Sequence, residues 1–455
     1  MAQPISFSAN EIKILEDERI LLPTSSNVLG KRKVSGSFLT PPASHGSASS
    51  SSSSSSSTAS ISFKHYVLGP NVNLDIPLAE ESPDALEFLG FVPEVARHIY
   101  DNFSSRPLNE GLEDGGILQW ANGHAYSLNT PSLSSLSPYE ALTRLGIKES
   151  LRDGILDPRF RDVFETQSLL FWVKDSLRIN YWTLVGLQGR LKEHVEHVSK
   201  RKAKKSKRGS ISDVFPEAGS SSSQPSAKIS SATSNKHLPK ACVVVQEPNP
   251  VLDDHVVLYK GKSAAEMVEE FQWIQDDGTL NMMALTSSPF RDFNFGRAAW
   301  YFTPEKEIAE KYRKYVERRC ENSESWLIQI QVPCAFLNGL TTKSLWYGLE
   351  WREYVWHCRT MTMPPSKYDS LWKTGPGSVQ VIRGAVCSTV SNRVVKIKKD
   401  QIHQLMTEQE VVMKCGNQNA NQVAFMQVDV AANLGVAVKG KIHVEVFPPA
   451  KTAEE

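Results

Sequence analysis

The sequence predicts an α+β protein in which a mainly helical N-terminal domain precedes a C-terminal domain of mixed strands and helices. Three observations carry that expectation. Apolar residues recur at helical spacing between about 65 and 200, short β-branched runs take over after Ala241, and the Lys- and Ser-rich stretch between them shows neither period. At 455 residues, 40% hydrophobic and 9% aromatic, the chain holds apolar material for two ordinary domains. Its 51 Lys and Arg against 50 Asp and Glu argue against a histone-like or ribosomal protein, so any basic surface must come from local runs.

Residues 1–62 contain few aromatics and close on an unbroken serine run, Ser49 to Ser57. Such a composition buries too little surface to offset chain entropy, and the segment reads as a disordered tail. The helical domain, 63–200, opens at Ser82-Pro83-Asp84, where a Ser N-cap and a Pro at the first helical position are both start signals. Leu86, Leu89, Val92, Val95, Ile99 and Phe103 mark one face, and Pro93 interrupts it, leaving two short helices or one kinked helix. Ser137-Pro138 repeats the start signal, and Gly146 can close that helix. From Arg159 to Val198 the apolar spacing predicts the longest helix, with Gly186 and Gly189 weakening its second half.

The run Lys200-Arg201-Lys202-Ala203-Lys204-Lys205-Ser206-Lys207-Arg208 then feeds a basic, Ser-rich linker, 201–240. Clustered cations in a flexible segment can reach an acidic groove or a polyanion without refolding, so the run reads first as a nuclear import signal, seconded by Lys31-Arg32-Lys33. The other readings are a solvated helix end that complements the helix dipole and direct nucleic-acid contact. No aromatic residue interleaves the run to stack on bases, which weakens the last. The chain otherwise reads as cytoplasmic. No stretch has the roughly 18 to 20 apolar residues of a membrane span, and Met1-Ala2-Gln3-Pro4 does not open a signal peptide. The six cysteines are scattered without a CxxC or a short Cys/His cluster, so free thiols and no metal site are expected.

In the domain 241–450 the strand candidates are Val243–Val245, Val256–Tyr259, Trp326–Val332, Ser378–Ile382, Val394–Ile397 and Ile442–Phe447. Ser263–Trp273 and Pro304–Arg319 are helical, and strands and helices without strict alternation favour α+β. Two segments stand out. Val256 to Gly261 is an apolar strand ending on a basic residue and Gly, followed by Ser263 and Glu266 as a capping box. Asp292 to Pro304 is a Gly-containing loop running into the aromatic strand Trp300-Tyr301-Phe302, with Thr303 capping the next helix.

These segments, with those that follow them, resemble a largely fungal family of uncharacterised proteins with an ADP-ribosyltransferase-like fold. That family's pattern opens with Leu-Tyr-His-Gly, continues through an Asp-Phe-Gly loop into Phe-Tyr-x-Thr, and adds a helix with Ala and Tyr. Leu258 to Gly261, Asp292 to Thr303 and the helix carrying Ala309, Tyr312 and Tyr315 look like those pieces. Trp351 to Val355 with Arg359, Tyr368-Asp369 with Val381 to Gly384, and Gln422 to Phe425 are similar to its later motifs, in the same order. The resemblance covers about residues 253–430.

It implies a split β-core holding NAD in a cleft, with Tyr259, Lys260, Gly261, Tyr301 and Gln422 as candidate cofactor-binding residues. Lys260 stands where the family's His fixes the adenosine ribose, and Tyr301 matches the aromatic beside the nicotinamide. Near Gln422 there is no Glu to polarise the nicotinamide ribose. Glu445 on the last strand is the fallback catalytic carboxylate, although its alternation with Val444 and Val446 equally describes a half-exposed strand. Two functions follow: a nucleotide-binding protein, with protein ADP-ribosyl transfer open, or a non-catalytic nuclear interaction protein whose helical domain binds a partner. His357-Cys358, as sequence neighbours, do not face one another. Glu353 with Asp369 is a weak acid–base pair, and Gly375-Pro376-Gly377 is a turn.

Overall fold

The computed structural model describes residues 4–22, 30–40, 61–69, 71–106, 116–209, 242–245, 247–248, 250–267, 273–275, 277–390 and 393–452. It is mixed α and β, helices dominating the N-terminal half and sheets the C-terminal half. The serine run and residues 210–241 of the expected linker lie outside the described residues.

The first 62 residues are not uniformly a tail. Ala9–Asp17 is a helix because Ser8 and Glu11 form a reciprocal capping box, and its Leu15 is fully buried. Leu21–Leu22, Lys31–Ser35 and Asn73–Pro77 then build a three-stranded antiparallel sheet. Low aromatic content hid this unit, because its core of Leu15, Leu21, Val34 and Ile76 is completed by Leu184, Leu187 and Leu191 from far along the chain.

Pro93 does separate two helices, Pro83–Leu89 and Pro93–Ser104. Gly90 closes the first at φ +130°, where a Cβ would also collide with Leu151. Ser137 and Glu140 cap Pro138–Arg144 reciprocally. The long helix begins later than its periodicity suggests. Asp157 caps a turn of 3-10 helix at Pro158–Phe160, a short helix follows at Arg161–Phe164, and Leu169–Gly209 then runs unbroken through Gly186 and Gly189. The run 200–208 is therefore helical in backbone rather than the start of a flexible linker.

Two larger sheets dominate the C-terminal half, beside a two-stranded ribbon of Lys414–Cys415 and Gln418–Asn419. The five-stranded sheet has the order Cys242–Val244, Ile61–Lys64, Ile442–Phe447, Ser325–Pro333, His255–Ser263. Ile61–Lys64 comes from the N-terminal half and pairs parallel to both of its neighbours. The four-stranded sheet has the order Trp300–Phe302, Asn421–Phe425, Val381–Ala385, Thr342–Leu345. The two larger sheets meet where Tyr259 and Thr303 exchange backbone hydrogen bonds of 2.7 and 3.0 Å. Ile61, Phe63, Ile328, Trp300 and Phe425 share the core beneath that junction.

Two expected elements differ. Val394–Lys396 is a turn of 3-10 helix whose Val394 is buried, so the β-branched run serves the core and not a strand. The helix expected over Ser263–Trp273 is, within the described residues, the single turn Ala265–Met267. Helix Lys306–Arg319 binds the halves together: Ile308 and Tyr315 pack with Leu151, Ile155 and Trp172, and the Tyr315 hydroxyl donates to the Ile155 carbonyl at 2.8 Å. Among the described residues no helix is long and apolar enough to cross a membrane.

Candidate functional site

The junction of the two sheets opens onto a cavity of about 980 Å³, closed on its far side by residues 166–178 of the helical half. Tyr259, Lys260, Gly261, Tyr301 and Gln422, chosen from motifs spread over more than 160 positions, all line it. Strand His255–Ser263 supplies the first three, Trp300–Phe302 supplies Tyr301, and Asn421–Phe425 supplies Gln422.

Lys260 is half-buried, its Nζ donating to the Tyr301 carbonyl at 2.8 Å and lying 5.3 Å from the Phe302 ring centre. Burial, with the neighbouring charge of Lys262, holds its ammonium down to about 7. The Tyr301 hydroxyl accepts from the Phe293 amide at 2.9 Å and is 3.1 Å from Asn294 Oδ1, to which it donates. Burial and the charge of Asp292 push its pKa well above the usual phenol value. Tyr301 therefore fixes the Asp292–Asn294 loop and enters the cavity as a neutral phenol.

At the back of the cavity Gln422 completes a buried polar network. Its Nε2 donates to Asp292 Oδ2 at 2.6 Å and to the Ala385 carbonyl at 3.0 Å. Arg359 pairs with the other oxygen of Asp292, Nη2 at 2.6 Å, and Cys387 donates its amide to Oδ2 at 2.8 Å. Arg359 Nη1 also reaches the Thr166 carbonyl at 3.3 Å, a tie between the halves. Gln422 thus spends its amide on holding the Asp292 carboxylate.

Seven cationic side chains line the cavity against the carboxylates of Asp175, Glu266 and Asp292. Those carboxylates are occupied: Arg319 and Arg178 hold Asp175, Lys262 and Arg178 hold Glu266, and Arg359 holds Asp292. Lys174, Lys260 and Arg291 remain without an ion-pair partner among the described residues. Lys174 donates to the Tyr126 hydroxyl, Lys260 to a carbonyl and Arg291 to Ser288 Oγ, each at 2.8 Å. Arg291 lies over the Phe171 ring, 4.5 Å from its centre, and burial beside Arg359 lowers its guanidinium to about 10. An aromatic-walled space with surplus positive charge favours an anionic ligand.

Glu445 does not reach this cavity. It stands on the opposite side of its strand from core residues Val444 and Val446, 3.1 Å from Lys64 and 3.8 Å from Lys306, as a half-buried ion-paired residue. His357 bonds through Nδ1 to the Thr362 carbonyl, and Cys358 is buried, so the two form no pair. Glu353 is held by Lys367 and Tyr368, and Asp369 by Lys373. Among the described residues no cluster of His, Cys, Asp or Glu is arranged to hold a metal.

Sequence reasoning missed Lys174, Arg291 and Arg319 as cavity residues, and read Asp292 and Arg359 only as motif positions. Arg291 beside Asp292 was the available signal; nothing local to Lys174 or Arg319 distinguishes them from helix-surface cations. No protein-family model matches the sequence, and comparison with curated proteins and with solved structures finds no significant match.

Proposed function

We propose that the chain binds a pyrophosphate-bearing nucleotide, NAD in the first instance, in the cavity between its halves, on an ADP-ribosyltransferase-like split β-core. The observation that carries this reading is the trio Lys174, Lys260 and Arg291, cations without carboxylate partners facing about 980 Å³ of aromatic-walled space. The order of the motifs between 253 and 430 and the meeting of two sheets at Tyr259 and Thr303 support the same fold. A diphosphate would take the cations, and Tyr259 and Tyr301 offer ring faces to a base or nicotinamide.

The reading stops at binding. ADP-ribosyl transfer passes through an oxocarbenium-like state that a free carboxylate would stabilise, and every carboxylate lining the cavity is bound to a cation. That occupancy favours, as a second reading, a non-catalytic nuclear interaction protein. Lys31 and Arg32 are engaged in ion pairs within a sheet, so the run at 200–208 is the import candidate that remains.

Titrating the full chain with NAD by calorimetry tests the first reading. Saturable binding, weakened in both Lys260→Ala and Arg291→Ala, is expected. No heat at roughly millimolar NAD with a folded protein would exclude the nucleotide reading and leave the interaction protein. Replacing 200–208 with alanines is expected to abolish nuclear accumulation; unchanged nuclear accumulation would remove that run as the signal.

A further inference from the structure

A second pocket, of about 420 Å³, lies away from the sheet junction and is lined by seven separate stretches of the chain, four of which supply its cations. Strand Lys31–Ser35 places Lys31 and Lys33 on its wall, two residues apart and so on one face, while Arg32 turns the other way, 3.8 Å from Glu16. Lys148 stands at the N-cap of a seven-residue helix, Arg318 and Arg319 end the helix Lys306–Arg319, and Lys451 comes from the last turn of the described chain.

Lys31 is satisfied by Glu87 at 2.5 Å and Asp84 at 3.1 Å, and Arg318 by Asp157 at 2.9 Å. The others are not. Lys33 has no ion pair among the described residues, although Asp75 is its register partner across the sheet. Lys148 donates only to the Glu87 carbonyl, at 2.6 Å. Lys451 is 3.9 Å from Glu321, at the edge of ion-pairing range. Arg319, 3% exposed, also lines the pocket, and its Nε–H has no acceptor. Phe88, Leu151 and Pro77 supply apolar wall between the charged groups. Six cations and three carboxylates, Asp75, Glu87 and Glu321, line the recess, so its balance is positive and an anion would be drawn to it. Burial lowers the Lys148 ammonium; Lys31 and Lys451 act in the same sense, and the carboxylates of Glu87 and Glu321 oppose them.

We propose that this pocket is a second ligand site, for a small free molecule carrying two or more phosphate groups, gripped by Lys33, Lys148 and Lys451. Its volume, under half that of the first cavity, suits a compact polyphosphate better than a dinucleotide. The proposal stands on other residues than the nucleotide reading and does not depend on it. Arg319 lines both spaces, so it is left unaltered in the test.

The test is calorimetric titration of the full chain with inorganic pyrophosphate. The Lys260→Ala/Arg291→Ala double variant serves as background, so that binding in the first cavity is weakened. Saturable binding is expected there, weakened about tenfold by adding Lys148→Gln and at least as much by adding Lys33→Gln with Lys451→Gln. The second pair is the control against misfolding, since both side chains are exposed and neither anchors backbone. No saturable binding in that background, or binding that the Lys33 and Lys451 replacements leave unchanged, would overturn the proposal.

Discussion

Arg359 directs two nitrogens at one oxygen of Asp292, Nη2 at 2.6 Å and Nε at 2.8 Å, while the other oxygen accepts from the Cys387 amide and Gln422. Both charged residues are buried. The carboxylate ties the loop before Trp300 to the end of helix Leu349–Arg359, to strand Asn421–Phe425 through Gln422, and to Cys387 just past strand Val381–Ala385. Removing one partner leaves an uncompensated buried charge. Arg359→Met is expected to cost about 3–5 kcal/mol in urea denaturation. Combined with Asp292→Asn, the loss should fall clearly below the sum of the two single losses. Additivity within about 0.5 kcal/mol would mean the two groups are not coupled.

Gly261 is required by packing before any ligand is considered. A Cβ there would overlap the Ala309 carbonyl oxygen and come within 2.7 Å of the Arg313 amide nitrogen, because helix Lys306–Arg319 crosses the strand at that residue. Both obstacles are backbone and cannot swing aside. Gly261→Ala should lower stability by about 1–3 kcal/mol, read as a drop in melting temperature of the unliganded protein. An unchanged melting temperature would show that the helix can lift away at no cost.

Much of this was legible in the sequence where local chemistry decides the outcome. Ser82-Pro83 and Ser137-Pro138 open helices, Pro93 divides two of them, and the alternating run Ile442–Phe447 is a strand. Motif order also selected five residues that line one cavity. What was lost depends on contacts between distant segments. The parallel strand Ile61–Lys64 is read only once Ile442–Phe447 lies beside it, and Lys31-Arg32-Lys33 looks like a targeting signal until strand pairing turns its residues to opposite sides. The alternation around Glu445 fixes that it is half-exposed, but not which exposed side it faces. Lys174 and Arg319 become cavity residues only when the long helix docks on the C-terminal half.

The thiols divide by burial. Cys320, Cys358 and Cys387 are enclosed, and desolvation pushes each upward, Cys320 to about 12. Cys334 and Cys415 are partly exposed, all five are free, and the Cys242 side chain lies outside the described residues. Because the thiolate is the reactive species, iodoacetamide on the native protein should label Cys334 and Cys415 well before the buried three. Mass spectrometry of a timed digest reads this directly. Early modification of Cys358 or Cys387 would mean that the Asp292 network opens readily.

Lys260 makes stability and binding depend on pH in opposite senses. Its ammonium is lowered from 10.5 to about 7, first by burial and then by Lys262, so the folded state gives up this proton sooner than the unfolded chain. Between those values the unfolded chain binds more protons, and stability therefore rises with pH across that window. Below about 7 both states are protonated and the full cost of burying the charge is present. Subtracting the stability of Lys260→Met from that of the wild type isolates this contribution. The difference is expected to be flat at low pH and to climb from about pH 7 towards pH 10. An anionic ligand in the first cavity would favour the charged form, so binding above about pH 7 should take up a proton and weaken as the pH rises. Calorimetry in two buffers of different ionisation heat measures that uptake. A stability difference that stays flat up to pH 10 would show that water reaches the ammonium and keeps it at its ordinary value. Proton uptake of the same size in Lys260→Met would assign the linkage to another group.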